Sequence, residues 1–207
     1  TKYPFKNMTF LINPYTQENH DIVYDICLKT ADSGEDASYL HEDPKLIGHY
    51  FAGPYINLEP ESAFILKDRN SPCGYIIGAL DSASFYKKMR GVWLPDIRKN
   101  YEDPTSDPDT WNKDEELIHL IFHPEEPVLF PAYPSHLHID LLPRAQGQGQ
   151  GKQMMDHFLK YLKKKASKGV HLGLSVHNDR AFRFYKKYGL VELFRNKDTI
   201  FMGLLFE

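Results

Sequence analysis

Gln146-Gly147-Gln148-Gly149-Gln150-Gly151-Lys152 follows the apolar, strand-like run His136-Leu137-His138-Ile139-Asp140-Leu141-Leu142 and leads into a helical pattern from Gln153 to Leu162. Strand, glycine-rich turn and helix start together make a phosphate grip. Glycine lets the backbone turn tightly and come close to a ligand. The unpaired N–H groups at a helix N-terminus, with the helix dipole behind them, then face the anion. The run is not a P-loop, because no Gly-Lys-Ser/Thr closes it. A dinucleotide fingerprint would need glycine where Lys152 or Met154 stands. It does fit Q/R-x-x-G-x-G/A through Gln146, Gly149 and Gly151. Taken alone, the loop also reads as a flexible Gln/Gly turn.

A second segment narrows the choice. Val170 to Val176 is an apolar strand candidate, followed by Asn178-Asp179-Arg180-Ala181-Phe182-Arg183-Phe184-Tyr185-Lys186-Lys187-Tyr188-Gly189-Leu190. Asn178 is a suitable N-cap. Ala181, Phe184, Tyr185 and Tyr188 recur at three to four residues and share a helix face. Gly189 ends the helix. An ordinary amphipathic helix explains this segment by itself. Both segments, in this order, resemble the GNAT superfamily of acyl-CoA-dependent N-acyltransferases, whose pattern N-x-x-A-x-x-F-Y-x-x-x-G-F is matched with Leu190 in the last place.

The likeness extends over nearly the whole chain. A hairpin containing Cys73-Gly74-Tyr75, then Ser84-Phe85-Tyr86-Lys87-Lys88, Trp93-Leu94-Pro95, an acidic linker and the Pro134-Ser135-His136 strand are similar to the acetyltransferase-like C-terminal domain of animal O-GlcNAcases and its free-standing relatives. Some members of that group have a degenerate phosphate loop and are regarded as pseudo-acetyltransferases. This chain keeps Gln146 and the glycines, and so resembles the cofactor-competent members.

The resemblance implies an α/β GNAT fold in one domain spanning residues 1–207. Its mixed, mostly antiparallel sheet is flanked by helices, with a helical insertion at about 81–134 before the fourth strand. It implies acetyl-CoA as cofactor. The loop Gln146, Gly147, Gln148, Gly149, Gln150, Gly151 and Lys152 would hold the pyrophosphate, although Lys152 also reads as a solvated lysine. The main chain of Leu141 and Leu142 would align the pantetheine, and a strand N–H would polarise the thioester, one such donor being worth about 3 kcal/mol. Asn178 and Ala181 would border the cofactor. Tyr185 matches the family's general acid, against a plain reading as a core tyrosine.

The base must come from elsewhere. Strand alternation puts His136, His138 and Asp140 on one face of their strand and Leu137, Ile139 and Leu141 on the other. Histidine suits base work near neutral pH. The order of expectation is His138, then His136, with Asp140 able to orient a histidine. A strand bulge would scramble this alternation, and the polar groups could equally be structurally bonded.

Composition sets the outer bounds. The chain has 207 residues, 42% hydrophobic and 26% charged, with net charge −3 and 14% aromatics. No general attraction to nucleic acid is expected, and no stretch approaches the length of a membrane span. Thr1 to Lys6 shows no apolar signal core, and the absent starting Met suggests a trimmed or excised chain. Two cysteines, Cys27 and Cys73, give neither a disulfide framework nor metal spacing. A reducing compartment is expected, the cytoplasm or the nucleus as well. His20, His41, His49 and His171 are isolated, so no metal site is expected. The acidic run from Glu102 to Glu116 reads chiefly as a solvated loop and helix start, and secondarily as an attractor for a cationic amine.

Expected elements are a strand from Thr9 stopped at Asn13-Pro14, a helix from Glu18 to Lys29, short helices between Asp36 and Phe51 broken at Pro44, a hairpin from Ser62 to Leu80, and a closing hairpin from Val191 to Phe206. The insertion either shapes an acceptor pocket or packs on the sheet edge. The leading function is acetyl transfer to a primary amine, on a small molecule or a protein lysine, by direct attack in a ternary complex. The rival is a cofactor-binding or interaction domain related to the O-GlcNAcase C-terminus. The sequence leaves the oligomeric state open.

Overall fold

The computed structural model describes residues 9–207, so the reading of Thr1 to Lys6 lies outside the described residues. Strands β1 (Leu11–Pro14), β2 (Ala63–Lys67), β3 (Pro72–Ala79), β4 (Ser135–Leu141), β5 (Gly169–Ser175), β6 (Val191–Arg195) and β7 (Thr199–Leu205) form one sheet. Their order is β1-β2-β3-β4-β5-β7-β6. Only β4 and β5 run parallel. The expected mixed, mostly antiparallel sheet is therefore present, and the closing hairpin enters it through β7, which pairs with β5 along its whole length.

Two cores lie on opposite faces of this sheet, and strand alternation sorts residues between them. Ile65, Tyr75, Ile77 and Ala79 belong to the core under helices α1 (His20–Leu28), α2 (Leu46–Phe51) and α3 (Gly53–Leu58). Phe64, Leu66 and Ile76 belong to the core under α7 (Gln150–Lys164), and Cys73 joins them because it sits at the register shift opposite Leu66 and Lys67. On α7, Met154, Met155, Phe158 and Leu162 are fully buried along one face. Burying each such side chain is worth about 1.5–3 kcal/mol, which holds the glycine loop's helix firmly to the sheet.

Two features differ from expectation. β1 does not stop at Asn13-Pro14 but includes both, with Pro14 opposite Phe64. The strand is at the sheet edge, where a missing N–H costs no ladder bond. Between Asp36 and Phe51 the expected short helices are present on either side of Pro44, a 3-10 turn at Ser38–Leu40 and then α2. A further helix, α3, follows at once; its Pro54 sits in the first turn, where proline is tolerated.

The insertion forms α4 (Ser82–Lys88), a wide π turn over Met89–Trp93, α5 (Leu94–Ile97) and α6 (Lys113–Phe122). Asp81 caps α4 by accepting from Ser84 N–H at 2.8 Å, and Asn112 with Glu115 forms a capping box on α6. Phe85, Met89, Leu94, Ile97, Leu117 and Ile121 join the core under α1–α3. The insertion thus covers a sheet face, not a sheet edge. Much of the acidic run is structural: the Asp114 carboxylate accepts from the N–H groups of Glu42 and Asp43 and lies 2.6 Å from His41 Nδ1. Among the described residues no helix is long and apolar enough to cross a membrane.

Candidate active site

β4 is paired with β3 from His136 opposite Ala79 to Leu141 opposite Gly74, without a bulge. Its pairing with β5 covers only Ser135 with Val170 and His136 with His171. Beyond His136 the two parallel strands diverge. Leu142 N–H donates to Cys73 O at 2.8 Å. Ladder bonds alternate, so the main-chain groups of Leu137, Ile139 and Leu141 turn the other way, toward the gap. Leu141 is thus where the sequence expected it; the Leu142 N–H is not, being committed to β3. The gap opens into a cleft of about 770 Å³ running from His138 to the glycine loop and bordered by α8 (Asp179–Tyr188).

At the loop end, Gly147 and Gly149 have φ of 70° and 75°, and an added Cβ at either would meet only open space. Gly149 is the N-cap of α7. Gln153 N–H already bonds Gly149 O, so the N–H groups of Gln150, Gly151 and Lys152 are the unpaired first-turn donors. Gln146 braces the turn: its Nε2 donates to Leu141 O at 2.7 Å, and its Oε1 accepts from Arg180 at 2.7 Å. Gln148 donates to Arg144 O, and Gln150 is buried and donates to Gln148 O. Lys152 pairs with Asp156 at 2.6 Å on the surface. Arg180 is a cleft residue that sequence reasoning passed over, although it stands inside the recognised Asn178–Leu190 segment.

Asn178 caps α8 as expected, its Oδ1 accepting from Ala181 N–H at 3.0 Å, while its Nδ2 reaches Ser33 O. The segment Thr30 to Gly34 therefore walls the cleft opposite α8, with no motif to announce it. Tyr185 is buried on the cleft wall. Burial, and secondarily the Asp140 charge, holds its hydroxyl well above the ordinary phenol range, so it stays protonated. Cys27 also borders the cleft, but burial pushes its thiol up to about 12, leaving no thiolate nucleophile.

The three polar residues of β4 do share a face, and their partners differ. Asp140 does not orient a histidine. It stands opposite Tyr75 in the sheet, and the Tyr75 hydroxyl donates to its Oδ2 at 2.5 Å. Burial raises the Asp140 carboxyl to about 6, offset in part by bonds from Tyr75 and Thr30. His136 and His138 instead converge on Tyr55 of α3, each Nε2 lying 2.9 Å from the one hydroxyl. His136 Nδ1 lies 2.7 Å from the Ser82 hydroxyl, which is itself 2.7 Å from Pro134 O.

Two proton arrangements satisfy these partners. With Ser82 donating to Pro134 O, His136 Nδ1–H donates to Ser82, Tyr55 donates to His136 Nε2 and accepts from His138 Nε2–H, which leaves His138 Nδ1 unprotonated. With Ser82 donating to His136 Nδ1, Pro134 O keeps its bond from Ser82 N–H and the direction of every step reverses. His136 is buried with both nitrogens engaged. His138 is more open and borders both the main cleft and a second pocket of about 240 Å³. That pocket is walled by Tyr50, Phe51 and Tyr86, with Glu125 and Glu126 from the insertion at hand. Burial, then the charge of His171, lowers His138 to about 4, and burial, then the charges of His138 and His171, holds His136 well below the usual imidazole range.

These imidazoles make the fold acid-sensitive. His49, His136, His138 and His171 all titrate below the unfolded value of 6.5. Below pH 6.5 the unfolded chain binds protons that the folded chain refuses, so their stabilising contribution is present above that pH and lost as pH falls through it. Asp140, between 3.8 and about 6, and Glu59, raised above 4.5 by burial, work oppositely, two carboxyls against these four rings and His157, which burial lowers as well. The melting temperature should therefore be lower at pH 5 than at pH 7. A Tm that is level or higher at pH 5 would contradict the neutral-imidazole assignment.

The model of the acetyltransferase (GNAT) family matches residues 29–190. The Protein O-GlcNAcase of Rattus norvegicus is 29% identical over 202 residues, covering 94% of this chain and 22% of that protein, and the Mus musculus protein gives the same figures. The chain thus spans about a fifth of the length of these curated relatives. The crystal structure of SsHAT superposes with a TM-score of 0.88 at 36% identity, covering 95% of this chain and 98% of that one. The PaiA N-acetyltransferase from Thermoplasma acidophilum, solved in complex with coenzyme A, shares the fold with a TM-score of 0.61 at 11% identity, over 96% of this chain and 100% of that one.

Proposed function

We propose that this chain, which belongs to the acetyltransferase (GNAT) family, moves an acetyl group from acetyl-CoA to a primary amine by direct attack in a ternary complex. The observation that carries the reading is the divergence of β4 from β5 beside a glycine loop at a helix N-terminus. An extended ligand arm can add to the free β4 edge as a strand would, and unpaired N–H groups with Arg180 nearby suit its phosphates. Acetyl-CoA supplies the acetyl thioester.

The residues then divide the work. The N–H groups of Gln150, Gly151 and Lys152 bind the pyrophosphate, with Gln146 holding the turn in shape. The main chain of Leu137, Ile139 and Leu141 aligns the arm, and one of its N–H groups polarises the thioester carbonyl. The Tyr185 hydroxyl delivers a proton to the departing sulfur. His138 Nδ1 takes a proton from the incoming ammonium, directly or through water. His136, Tyr55 and Ser82 do not touch the amine; in the first of the two proton arrangements they hold His138 in the tautomer that leaves Nδ1 free. The aromatic pocket beside His138 suits a cationic amine, with ring faces for the charge and Glu125 and Glu126 near its mouth.

The test is release of free coenzyme A thiol from acetyl-CoA by the full chain with a panel of amines, lysine peptides included. Sustained, amine-dependent turnover supports the transferase. Saturable acetyl-CoA binding without turnover over the whole panel would favour the second reading, a cofactor-binding accessory domain. The small share of the O-GlcNAcase relatives that this chain covers is what supports that alternative.

Tyr55→Phe probes the proton chain. It leaves His136 Nε2 and His138 Nε2–H without their shared partner, at a cost of about 1–3 kcal/mol of stability. kcat should fall with it, since either His138 tautomer is then allowed. Lowered stability at unchanged kcat would make the network structural only.

A further inference from the structure

We propose that Asp103, His119 and His123 form a binding site for a divalent transition ion of the zinc type, distinct from the acetyl-transfer cleft. His119 lies in the last turn of α6, and His123 is the C-cap residue just beyond it, four positions on. Their rings lie 4.3 Å apart, tilted by 32°. Asp103, in the segment before α6, reaches both: its Oδ1 lies 3.0 Å from His119 Nδ1 and its Oδ2 lies 2.6 Å from His123 Nε2. One ligand atom from each of the three residues falls within 4.8 Å of the others.

Two imidazole nitrogens and a carboxylate within this reach of one another are a transition-metal donor set. Bond lengths near 2.0–2.2 Å place neighbouring donors of a tetrahedral ion roughly 3.3 Å apart, so the ion needs only a small withdrawal of the carboxylate. Asp103 lies in irregular chain next to Pro104, which allows that movement. Each neutral ring can turn its lone pair inward by carrying its proton on the outer nitrogen, so no proton need be lost. Nitrogen ligands select against calcium and magnesium and for zinc, cobalt, nickel or copper. All three side chains are partly exposed, so a fourth position is open to water.

The ion would act as a clasp. Tyr101 donates to Asp43 at 2.6 Å, and the Trp111 ring packs 4.7 Å from His119 of α6, so the segment between them is already anchored at both ends. An ion on Asp103 and the two histidines would bolt its centre down. None of the three residues borders the main cleft or the aromatic pocket, so the ion takes no part in acetyl transfer. The rival arrangement is a carboxylate that only bridges two rings by hydrogen bonds.

The experiment uses the tag-free full chain, stripped with chelator, and titrates Co²⁺ by visible absorption and Zn²⁺ by calorimetry. One ion per chain is expected, with His119→Gln and His123→Gln each weakening Zn²⁺ binding by at least about tenfold, and the exposed His157→Gln leaving it unchanged. Circular dichroism checks that each variant folds. Copper provides an independent readout: Cu²⁺ should quench tryptophan emission through Trp111, and Trp111→Phe should abolish the quenching. Absence of saturable binding by the unaltered chain, or undiminished binding in both histidine variants, overturns the site.

Discussion

Replacing His138 with glutamine should lower kcat for amine acetylation by about 10²–10⁴-fold and leave acetyl-CoA affinity unchanged. Glutamine can still donate an N–H toward Tyr55, so the chain through His136 to Ser82 keeps its partners. It has no basic nitrogen to receive the ammonium proton. The loss therefore falls on kcat, not on folding or on cofactor binding, and steady-state kinetics with calorimetry separates the three. A His138→Gln enzyme with normal kcat would remove His138 from the mechanism. Asp140, raised to about 6 and also on the cleft wall, would then be the residue to test.

The second large effect is expected at the loop. Gly149→Glu combined with Gly151→Glu should weaken acetyl-CoA binding at least about 100-fold, equivalent to about 2.7 kcal/mol. The first change sets a carboxylate over the N–H groups that would receive a phosphate, at a φ of 75° that side chains seldom adopt. The second brings a Cβ to 3.2 Å from Phe184. Acidic groups in a first helical turn favour the helix dipole, so the fold should persist while binding fails. Calorimetry on the double variant decides it: retained micromolar binding would mean the phosphates sit elsewhere.

What the sequence made legible was local. Asn178 and Gly189 are capping residues whose roles follow from their own chemistry, and both perform them. Gly149 opens α7, which begins at Gln150, before the helical pattern read from Gln153. The alternation of His136, His138 and Asp140 was readable because β4 carries no bulge. What it concealed was partnership at a distance. Tyr55 meets two histidines more than eighty positions away, and Asp140 finds Tyr75 only because register sets them opposite. No periodicity encodes register between strands that are far apart in the chain. The four-residue spacing of His119 and His123 stands in the sequence but was passed over, and Asp103 joins them only once the chain folds back toward α6.

The short contact between β4 and β5 has a consequence for the lifetime of the protein. Two residue pairs are all that zip one half of the sheet to the other. A ligand arm laid along the β4 edge would add the missing main-chain bonds and act as a stitch across that seam. Ligand at a hundred times its dissociation constant contributes about 2.7 kcal/mol to the folded state. On the proposed function, resistance to proteolysis should rise with added acetyl-CoA.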